Sequence, residues 1–205
     1  MSTAASLQLG EVTIDDIPAI TELWYIAFTD PGMRHLFPDT STVRQWWDDA
    51  NRHDLLHKPF QKYLKVVDPE LVDKDGRPKL VAYAKWDMAV DFQQRGSRFP
   101  LWHADMPGQD CDAFFASLDR ERVRIMGDNN HIYLDMLASH PDHRRRGAAS
   151  LLVSWGCKIA DEGGLKAYVD ASKDGAPLYE KFGFVDRSDP TTAIEGVTSM
   201  ARSWE

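Results

Sequence analysis

The chain has 205 residues, enough to bury the core of one domain, and its formal net charge is −8. The acidic balance argues against a general nucleic-acid-binding protein, and no apolar run is long enough to cross a bilayer. The N-terminal segment lacks the features of a secretory signal and the two cysteines are far apart, so we expect a cytoplasmic protein. The histidines and cysteines show no metal-like spacing, and we expect no metal.

The first part of the chain predicts one strand and two helices. Residues 7–12 alternate in character and predict the strand. Ile17, Ile20 and Leu23 recur at helical spacing, and this first helix should break at the Asp30-Pro31-Gly32 sequence. We expect a loop over residues 28–38 and a second helix over residues 41–57.

A hairpin and an insertion are predicted in the middle of the chain. Residues 63–67 and 80–88 predict two strands, joined by a polar connection that holds the turn signal Asp75-Gly76. Residues 91–130 begin polar and rich in proline and glycine, and a helix is expected over residues 110–126. This segment is too short for a core of its own, so we predict one domain over residues 1–205 with an insertion at about 91–130.

The last part alternates strands and helices. Strands are predicted at 131–138 and 165–171, with a helix between them at 146–161 that ends at Gly163-Gly164. A short helix at 177–181 should stop at Gly183, and further strands are expected from residue 184 and over 199–204. This order of elements predicts a mixed sheet with helices on both faces.

The turn before the predicted helix at 146–161 is the most informative feature. Arg144, Gly147 and Ala149 form an R-x-x-G-x-A pattern where unpaired N–H groups and the helix dipole favour an anion. Three consecutive arginines oppose that dipole unless an anion is present. The pattern therefore predicts a phosphate-bearing cofactor, the alternative being a solvated basic helix start in which Gly147 merely eases the turn.

The segment from Tyr133 to Val185 resembles the cofactor-binding half of the GNAT superfamily of acetyl-CoA-dependent N-acetyltransferases. The matching features are the strand YLDMLASHP, the R-x-x-G-x-A turn, and Ala176-Pro177-Leu178-Tyr179 leading to Phe182-Gly183-Phe184. The resemblance implies a mixed α/β fold with a central, mostly antiparallel, splayed sheet flanked by helices on both faces. It also implies acetyl-CoA as co-substrate.

Carried over to this chain, the resemblance implies three groups of cofactor contacts. The turn would bind the pyrophosphate, the strand before it would pair its main chain with the pantetheine arm, and the region of the short helix would lie near the thioester. The implied residues are Arg144, Arg145, Arg146, Gly147, Ala148, Ala149 and Ser150 in the turn, Met136, Leu137 and Ala138 in the strand, and Ser172 and Tyr179.

Two catalytic residues are expected. Tyr179 would protonate the leaving thiolate, the alternative being a tyrosine packed between helix and sheet. Asp135 would accept a proton from the attacking amine, or else serve as a buried structural aspartate, and the two roles stay open. His131, Asp170 and Ser172 are weaker candidates for the base.

Aromatic residues are expected to line the acceptor pocket. Phe28 and Phe37 flank the loop after the first helix, Trp86 closes a predicted strand, and Trp102 belongs to the insertion. For each of them, simple core packing is an equally good interpretation.

The function expected from these observations is direct acetyl transfer from acetyl-CoA to a primary amine in a ternary complex. Neither Cys111 nor Cys157 stands where a covalent acetyl-enzyme would need it. We expect a small-molecule amine as acceptor, in a protein that is a monomer or a homodimer and binds neither nucleic acid nor membrane. A CoA-binding sensor without turnover, a protein or peptide amine as acceptor, and a larger acyl group are the alternatives.

Overall fold

The structure is a computed structural model and describes residues 7–89 and 97–203. Residues 90–96, at the start of the predicted insertion, and Trp204, in the predicted last strand, lie outside the described residues. The strands are β1 Gln8–Glu11, β2 Gln61–Val72, β3 Pro78–Asp87, β4 His131–Ser139, β5 Lys166–Ser172, β6 Val185–Asp186 and β7 Val197–Arg202. The helices are α1 Ile17–Ala27, α2 Pro31–Leu36, α3 Ser41–His57, α4 Gly108–Met126, α5 Ala148–Glu162 and α6 Ala176–Glu180.

These strands form one seven-stranded sheet in the order β1-β2-β3-β4-β5-β7-β6. β4 and β5 are parallel, whereas β1 pairs antiparallel with β2, and β7 pairs antiparallel with both β5 and β6. The predicted mixed and mostly antiparallel sheet is therefore confirmed. The register of β4 with β5 runs from His131↔Lys166 to Leu134↔Val169, although both strands continue beyond that last pair.

By their contacts the residues of the chain form two compact units. The first comprises Met1–Lys85 and Met136–Leu152, and the second comprises Trp86–Asp135 and Val153–Glu205. Both β4 and α5 begin in one unit and end in the other. The organisation as a single domain with an insertion stays a prediction.

In the first unit, helices α1 and α3 pack together through a core rich in aromatic rings. Ile17 and Ile20 on α1 are fully buried, as the helical spacing of the sequence predicts. The stacked, tilted and edge-on ring contacts have centroids 4.9–6.3 Å apart, and the rings are Trp24, Tyr25, Phe28, Phe37, Trp46 and Trp47. The turn of the predicted hairpin also lies in this unit, where the N–H of Asp73 donates to the carbonyl of Arg77 and Gly76 has a φ of 74°.

In the second unit, β5 lies between β4 and β7, and helix α4 packs against β5 and β7. Each of these three strands contributes a fully buried side chain to the core: Ile132 from β4, Tyr168 from β5 and Met200 from β7. Residues 131–134 of β4 and 167–169 of β5 are buried one after another, as in strands that are covered on both faces. Among the described residues, no helix has both the length and the apolar character that a membrane crossing requires.

One predicted loop is wrong in part. Residues 31–36 of the loop expected at 28–38 form the short helix α2. α1 ends at Ala27, and Asp30 starts α2, because its carboxylate accepts the N–H of Met33 at 2.9 Å and Pro31 occupies the first helical position. The same Asp-Pro-Gly sequence that signals a break therefore starts a new helix.

Candidate active site

The turn between β4 and α5 contains two residues in the left-handed region of the backbone. Arg145 has a φ of 61° and Gly147 a φ of 91°, and α5 begins directly afterwards at Ala148. Left-handed residues within such a turn let successive N–H groups converge on one point, and the helix start adds a partial positive charge. The backbone of the turn therefore has the form of an anion-binding concavity.

Gly147 leaves space around this concavity. A Cβ atom built on Gly147 would meet no other heavy atom within 4 Å. Arg144, Arg145 and Arg146 are exposed, whereas Ala148 is buried and anchors the first turn of α5. An open, positively charged turn fits the pyrophosphate of a nucleotide cofactor.

One of the three arginines has an acidic partner. The Nη2 atom of Arg146 lies 2.6 Å from a carboxylate oxygen of Asp68, a residue of β2 whose side chain is 2% exposed. The hydrogen bond from Arg146 is the largest of the effects that together lower the pKa of Asp68. The carboxylate of Asp68 therefore supplies part of the negative charge that the helix dipole favours. The sequence did not predict this pair, because Asp68 and Arg146 lie far apart along the chain.

Two histidines lie just before the arginines of the turn. The Nδ1 atoms of His140 and His143 accept hydrogen bonds, one from the N–H of Asp142 at 3.3 Å and the other from Arg146 at 3.1 Å. Burial, followed by the nearby charge of Lys79, lowers the pKa of both rings. The positive charge of the turn at neutral pH therefore comes from its arginines.

The strand before the turn holds Met136, Leu137 and Ala138. Ala138 is buried, and the other two side chains are half-buried. All three residues follow Leu134, where the register of β4 with β5 ends. The burial of Ala138 fits a packing role for its side chain, and a role for the main chain of these residues in cofactor binding stays a prediction.

Ser172 and Tyr179 lie close to the same glycine in the second unit. The hydroxyl of Ser172 accepts the N–H of Gly175 at 3.1 Å, and a Cβ atom built on Gly175 would stand 3.6 Å from the Tyr179 ring. Tyr179 is 6% exposed and its ring contacts Phe184 edge-on at 5.8 Å. Burial raises the pKa of the Tyr179 phenol well above its usual value, so the phenol stays protonated at neutral pH.

Asp135 forms an ion pair with Arg98. The guanidinium of Arg98 lies 4.7 Å from the ring centroid of Phe115 and 5.3 Å from that of Tyr133. Sequence analysis did not single out Arg98, because a lone arginine in an irregular segment carries no spacing signal.

Asp170 is the centre of a second buried cluster. Its carboxylate accepts hydrogen bonds from Tyr168 at 2.7 Å, Tyr133 at 3.1 Å and Ser199 at 3.3 Å. Burial is the largest influence on Asp170 and raises its pKa, although the tyrosine hydroxyls and nearby arginines act in the opposite direction.

The two clusters follow from one repeated pattern. Tyr-x-Asp occurs in β4 as Tyr133 and Asp135 and again in β5 as Tyr168 and Asp170, and the register pairs the two tyrosines. Residues two apart on a strand share a face, so this repeat is a sequence signal that would have ranked Asp170 above His131 and Ser172, the other weaker candidates for the base.

The four aromatic residues expected at the acceptor pocket differ in exposure. Trp86 is 0% exposed and Phe37 only 1%, which favours the packing role for both. Phe28 is half-buried and stacks on Trp24, and half-buried Trp102 stacks on Phe115 while its indole N–H donates to Asp112 at 2.7 Å. In the parts of the chain that the structure describes, no group of three or more His, Cys, Asp or Glu side chains is arranged to hold a metal ion.

Comparison with known proteins gives one family and many similar folds. The family model described as the acetyltransferase (GNAT) family matches residues 18–184. No curated protein sequence matches the chain.

Three solved structures illustrate the likeness of fold. An acetyltransferase from Corynebacterium glutamicum, described as histone acetyltransferase HPA2 and related, has a TM-score of 0.59 at 19% identity, over 98% of each chain. The PaiA N-acetyltransferase of Thermoplasma acidophilum in complex with coenzyme A has a TM-score of 0.56 at 10% identity, over 98% of this chain and 100% of its own. A chimeric spermidine N-acetyltransferase from Vibrio cholerae has a TM-score of 0.54 at 15% identity, over 97% of this chain and 96% of its own.

Proposed function

The chain belongs to the GNAT acetyltransferase family, and from that premise we propose that it acetylates the amino group of a small molecule by direct transfer. N-acetyl transfer with acetyl-CoA as co-substrate is the activity of the family, whereas the class of acceptor is our proposal. In the proposed step the amine nitrogen attacks the thioester carbonyl carbon and the C–S bond breaks. The products are an amide and coenzyme A with a free thiol.

The turn before α5 is the proposed pyrophosphate site. The observation that carries this assignment is the pair of left-handed residues, Arg145 and Gly147, at the start of a helix with open space beside Gly147. Backbone N–H groups of the turn would bind the phosphate oxygens, Arg144 and Arg145 would add charge, and the Ser150 hydroxyl would add a donor. Ala148 and Ala149 contribute small side chains that keep the helix start accessible.

The main chain of Met136, Leu137 and Ala138 is the proposed site of the pantetheine arm. The early end of the register between β4 and β5, at Leu134 and Val169, supports this assignment. Main-chain groups of a strand beyond its paired part need other hydrogen-bond partners, and the amides of a pantetheine arm can supply them.

Tyr179 is the proposed general acid. A group that donates its proton to a leaving thiolate must be protonated before the reaction, and the raised pKa of this buried phenol meets that condition. Ser172 orders the turn that precedes α6 and is proposed to contact the cofactor near the same place.

Asp170 is the carboxylate that we propose as the proton acceptor. Its pKa is raised by burial, which brings it closer to the value that a general base needs at neutral pH. Asp135, by contrast, is held by the guanidinium of Arg98, which favours the structural one of its two expected roles.

Direct transfer, without a covalent acetyl-enzyme, is supported by the state of both cysteines. Cys111 and Cys157 are free but buried, and burial raises the pKa of each thiol to about 11. A thiol with such a pKa is almost entirely protonated at neutral pH, and a protonated thiol is a poor nucleophile. The amine itself is therefore the proposed nucleophile.

A small cationic amine is the proposed class of acceptor. The net charge of −8 favours the approach of a cation, and half-buried Phe28 and Trp102 offer ring faces that a cation or an aromatic group can contact.

The proposal is tested by incubating the purified protein with acetyl-CoA and a library of amines. Release of the coenzyme A thiol is followed by colorimetry, and the gain of one acetyl group is followed by mass spectrometry. Thiol release that depends on a small amine, with acetylation of that amine, is the expected result. Binding of coenzyme A without amine-stimulated release would favour a sensor, and acetylation of peptides alone would favour a protein or peptide acceptor.

A further inference from the structure

Arg146 is held on two sides within the first unit. Its Nη2 atom lies 2.6 Å from Asp68, and its Nη1 atom lies 3.1 Å from the Nδ1 atom of His143. The Arg146 side chain is 39% exposed, whereas the Asp68 side chain is 2% exposed. A partly exposed guanidinium is thus held by a carboxylate that is itself buried.

Asp68 is in turn fixed by its own strand. Its second carboxylate oxygen accepts the N–H of Glu70 at 3.0 Å. A carboxylate with one backbone donor and one charged donor has little rotational freedom, so it sets the direction in which the guanidinium points.

Arg146 lies between the two left-handed residues of the turn. It stands between Arg145, with a φ of 61°, and Gly147, with a φ of 91°. Left-handed backbone at a non-glycine residue such as Arg145 is unfavourable and persists only where surrounding contacts hold it. A side-chain contact at the residue between the two left-handed positions restrains both of them.

The contact with Asp68 gives Arg146 a different role from Arg144 and Arg145. The charge of Arg146 is balanced by Asp68, so it adds less attraction for a phosphate than Arg144 and Arg145 do. Arg146 is therefore better suited to hold the shape of the turn than to neutralise a ligand.

We propose that Asp68 is a positioning residue for the cofactor: through Arg146 it holds the turn before α5 in the shape that binds the pyrophosphate of acetyl-CoA. This inference rests on the proposed pyrophosphate site. It assigns a role in cofactor binding to a residue on a distant strand that itself touches neither the phosphate nor the reacting atoms.

Asp68→Asn is the first test variant, because it removes the charge and keeps the shape. We expect the Kd for coenzyme A, by calorimetry, and the KM for acetyl-CoA to rise by about tenfold, since pre-organisation of the turn is lost. The kcat and the KM for the amine should stay within about twofold of wild type, because the reacting groups are untouched. A merely structural role for Asp68 would not separate the two substrates in this way.

Asp73→Asn is the matched control. Asp73 also accepts backbone N–H groups, from Asp75 and Arg77 at 2.9 Å, and also pairs with an arginine, Arg77, at 3.3 Å. It lies in the connection between β2 and β3, so its loss should leave the Kd for coenzyme A unchanged.

A double-mutant cycle tests whether Asp68 acts through Arg146. If it does, Asp68→Asn combined with Arg146→Met should weaken coenzyme A binding no more than Arg146→Met alone. Additive losses would overturn the proposal. If Asp68→Asn does not fold, Asp68→Glu keeps the charge and displaces the carboxylate by one methylene; a positioning role then still raises the Kd, and a wild-type Kd overturns it.

Pantetheine, which lacks the pyrophosphate, separates the two proposals. If wild type binds coenzyme A much more tightly than pantetheine but Asp68→Asn leaves that preference intact, only the role of Asp68 is wrong. If wild type binds the two ligands equally, the pyrophosphate site is wrong and the role of Asp68 is wrong with it.

Discussion

Gly156, in the middle of α5, lies directly against the indole of Trp86. A Cβ atom built on Gly156 would stand 2.2 Å from Cζ2 and 2.3 Å from Cε2 of that ring. Trp86 has 0% exposure and belongs to the core of the second unit, so the ring has no free space into which to move. The glycine is therefore required by packing, although glycine in a helix interior costs about 1 kcal/mol relative to alanine.

Gly156→Ala should lower the free energy of unfolding by about 1–3 kcal/mol, because overpacking outweighs the gain in helix propensity. Chemical denaturation monitored by tryptophan fluorescence measures this change. Gly10→Ala is the control, since a Cβ atom on Gly10 would meet nothing within 4 Å. Equal stability of Gly156→Ala and wild type would mean that Trp86 and α5 do not pack in this way.

Gly147→Val should abolish or strongly weaken the binding of coenzyme A. The added side chain would enter the open space beside the turn, where the pyrophosphate is proposed to lie, and the φ of 91° would also be strained. Gly76→Val separates these effects, because Gly76 has a similar φ of 74° and equally open surroundings in the hairpin turn. Both variants should lose stability, and only the variant at Gly147 should lose affinity by calorimetry; normal binding would show that the phosphate site lies elsewhere.

Tyr179→Phe should lower kcat by roughly 10- to 1000-fold with little change in the Kd for coenzyme A, since a general acid acts on the leaving thiolate and not on binding. The measurement is steady-state kinetics with the acceptor identified by the amine screen. Tyr25→Phe is a suitable control, because Tyr25 is also a buried phenol, with a pKa raised to about 12. A Tyr179→Phe enzyme with unchanged kcat would remove Tyr179 from the mechanism.

Much of the fold could be predicted, because the spacing of apolar residues and the glycines and prolines that end helices indicate the same element boundaries. In the region from β4 to α6, the strands are short and mostly apolar, α5 has one apolar side, and Gly163 and Gly164 follow its end, so the elements were placed within about two residues. The short helix α2 was missed because Asp30 and Pro31 mark a helix start as readily as a break.

The site was harder to predict than the fold, because side-chain partners depend on register and burial. The sequence does not distinguish the aromatic residues Trp86 and Phe37 from Trp102, and only the structure shows that the first two are wholly buried. The pairing of Asp68 with Arg146 joins β2 to a turn far along the chain, and neither residue carries a local signal for the other.

The two carboxylates of the repeated Tyr-x-Asp pattern should differ in their effects on activity and on stability. If Asp170 is the base, activity falls as the pH drops and the carboxylate becomes protonated, and the midpoint lies above the ordinary value of 3.8 because burial raises its pKa. Its effect on stability has the opposite sign: a raised pKa in the folded state stabilises the fold at low pH, and this contribution is lost as the pH rises through the folded pKa. Asp170→Asn should therefore lower kcat by roughly 100-fold and remove the acidic limb of the rate profile.

Asp135→Asn is the matched variant on the neighbouring strand. It leaves the guanidinium of Arg98 without its carboxylate partner, so we expect a loss of about 3–5 kcal/mol in the free energy of unfolding. The acidic limb of the rate profile should remain, because Asp135 is not the proposed base, and its midpoint should move to lower pH, because Arg98 without Asp135 lowers the pKa of Asp170 further. Stability by denaturation and kcat/KM against pH are measured for both variants. Loss of the acidic limb in Asp135→Asn, together with an unchanged one in Asp170→Asn, would reverse the two roles.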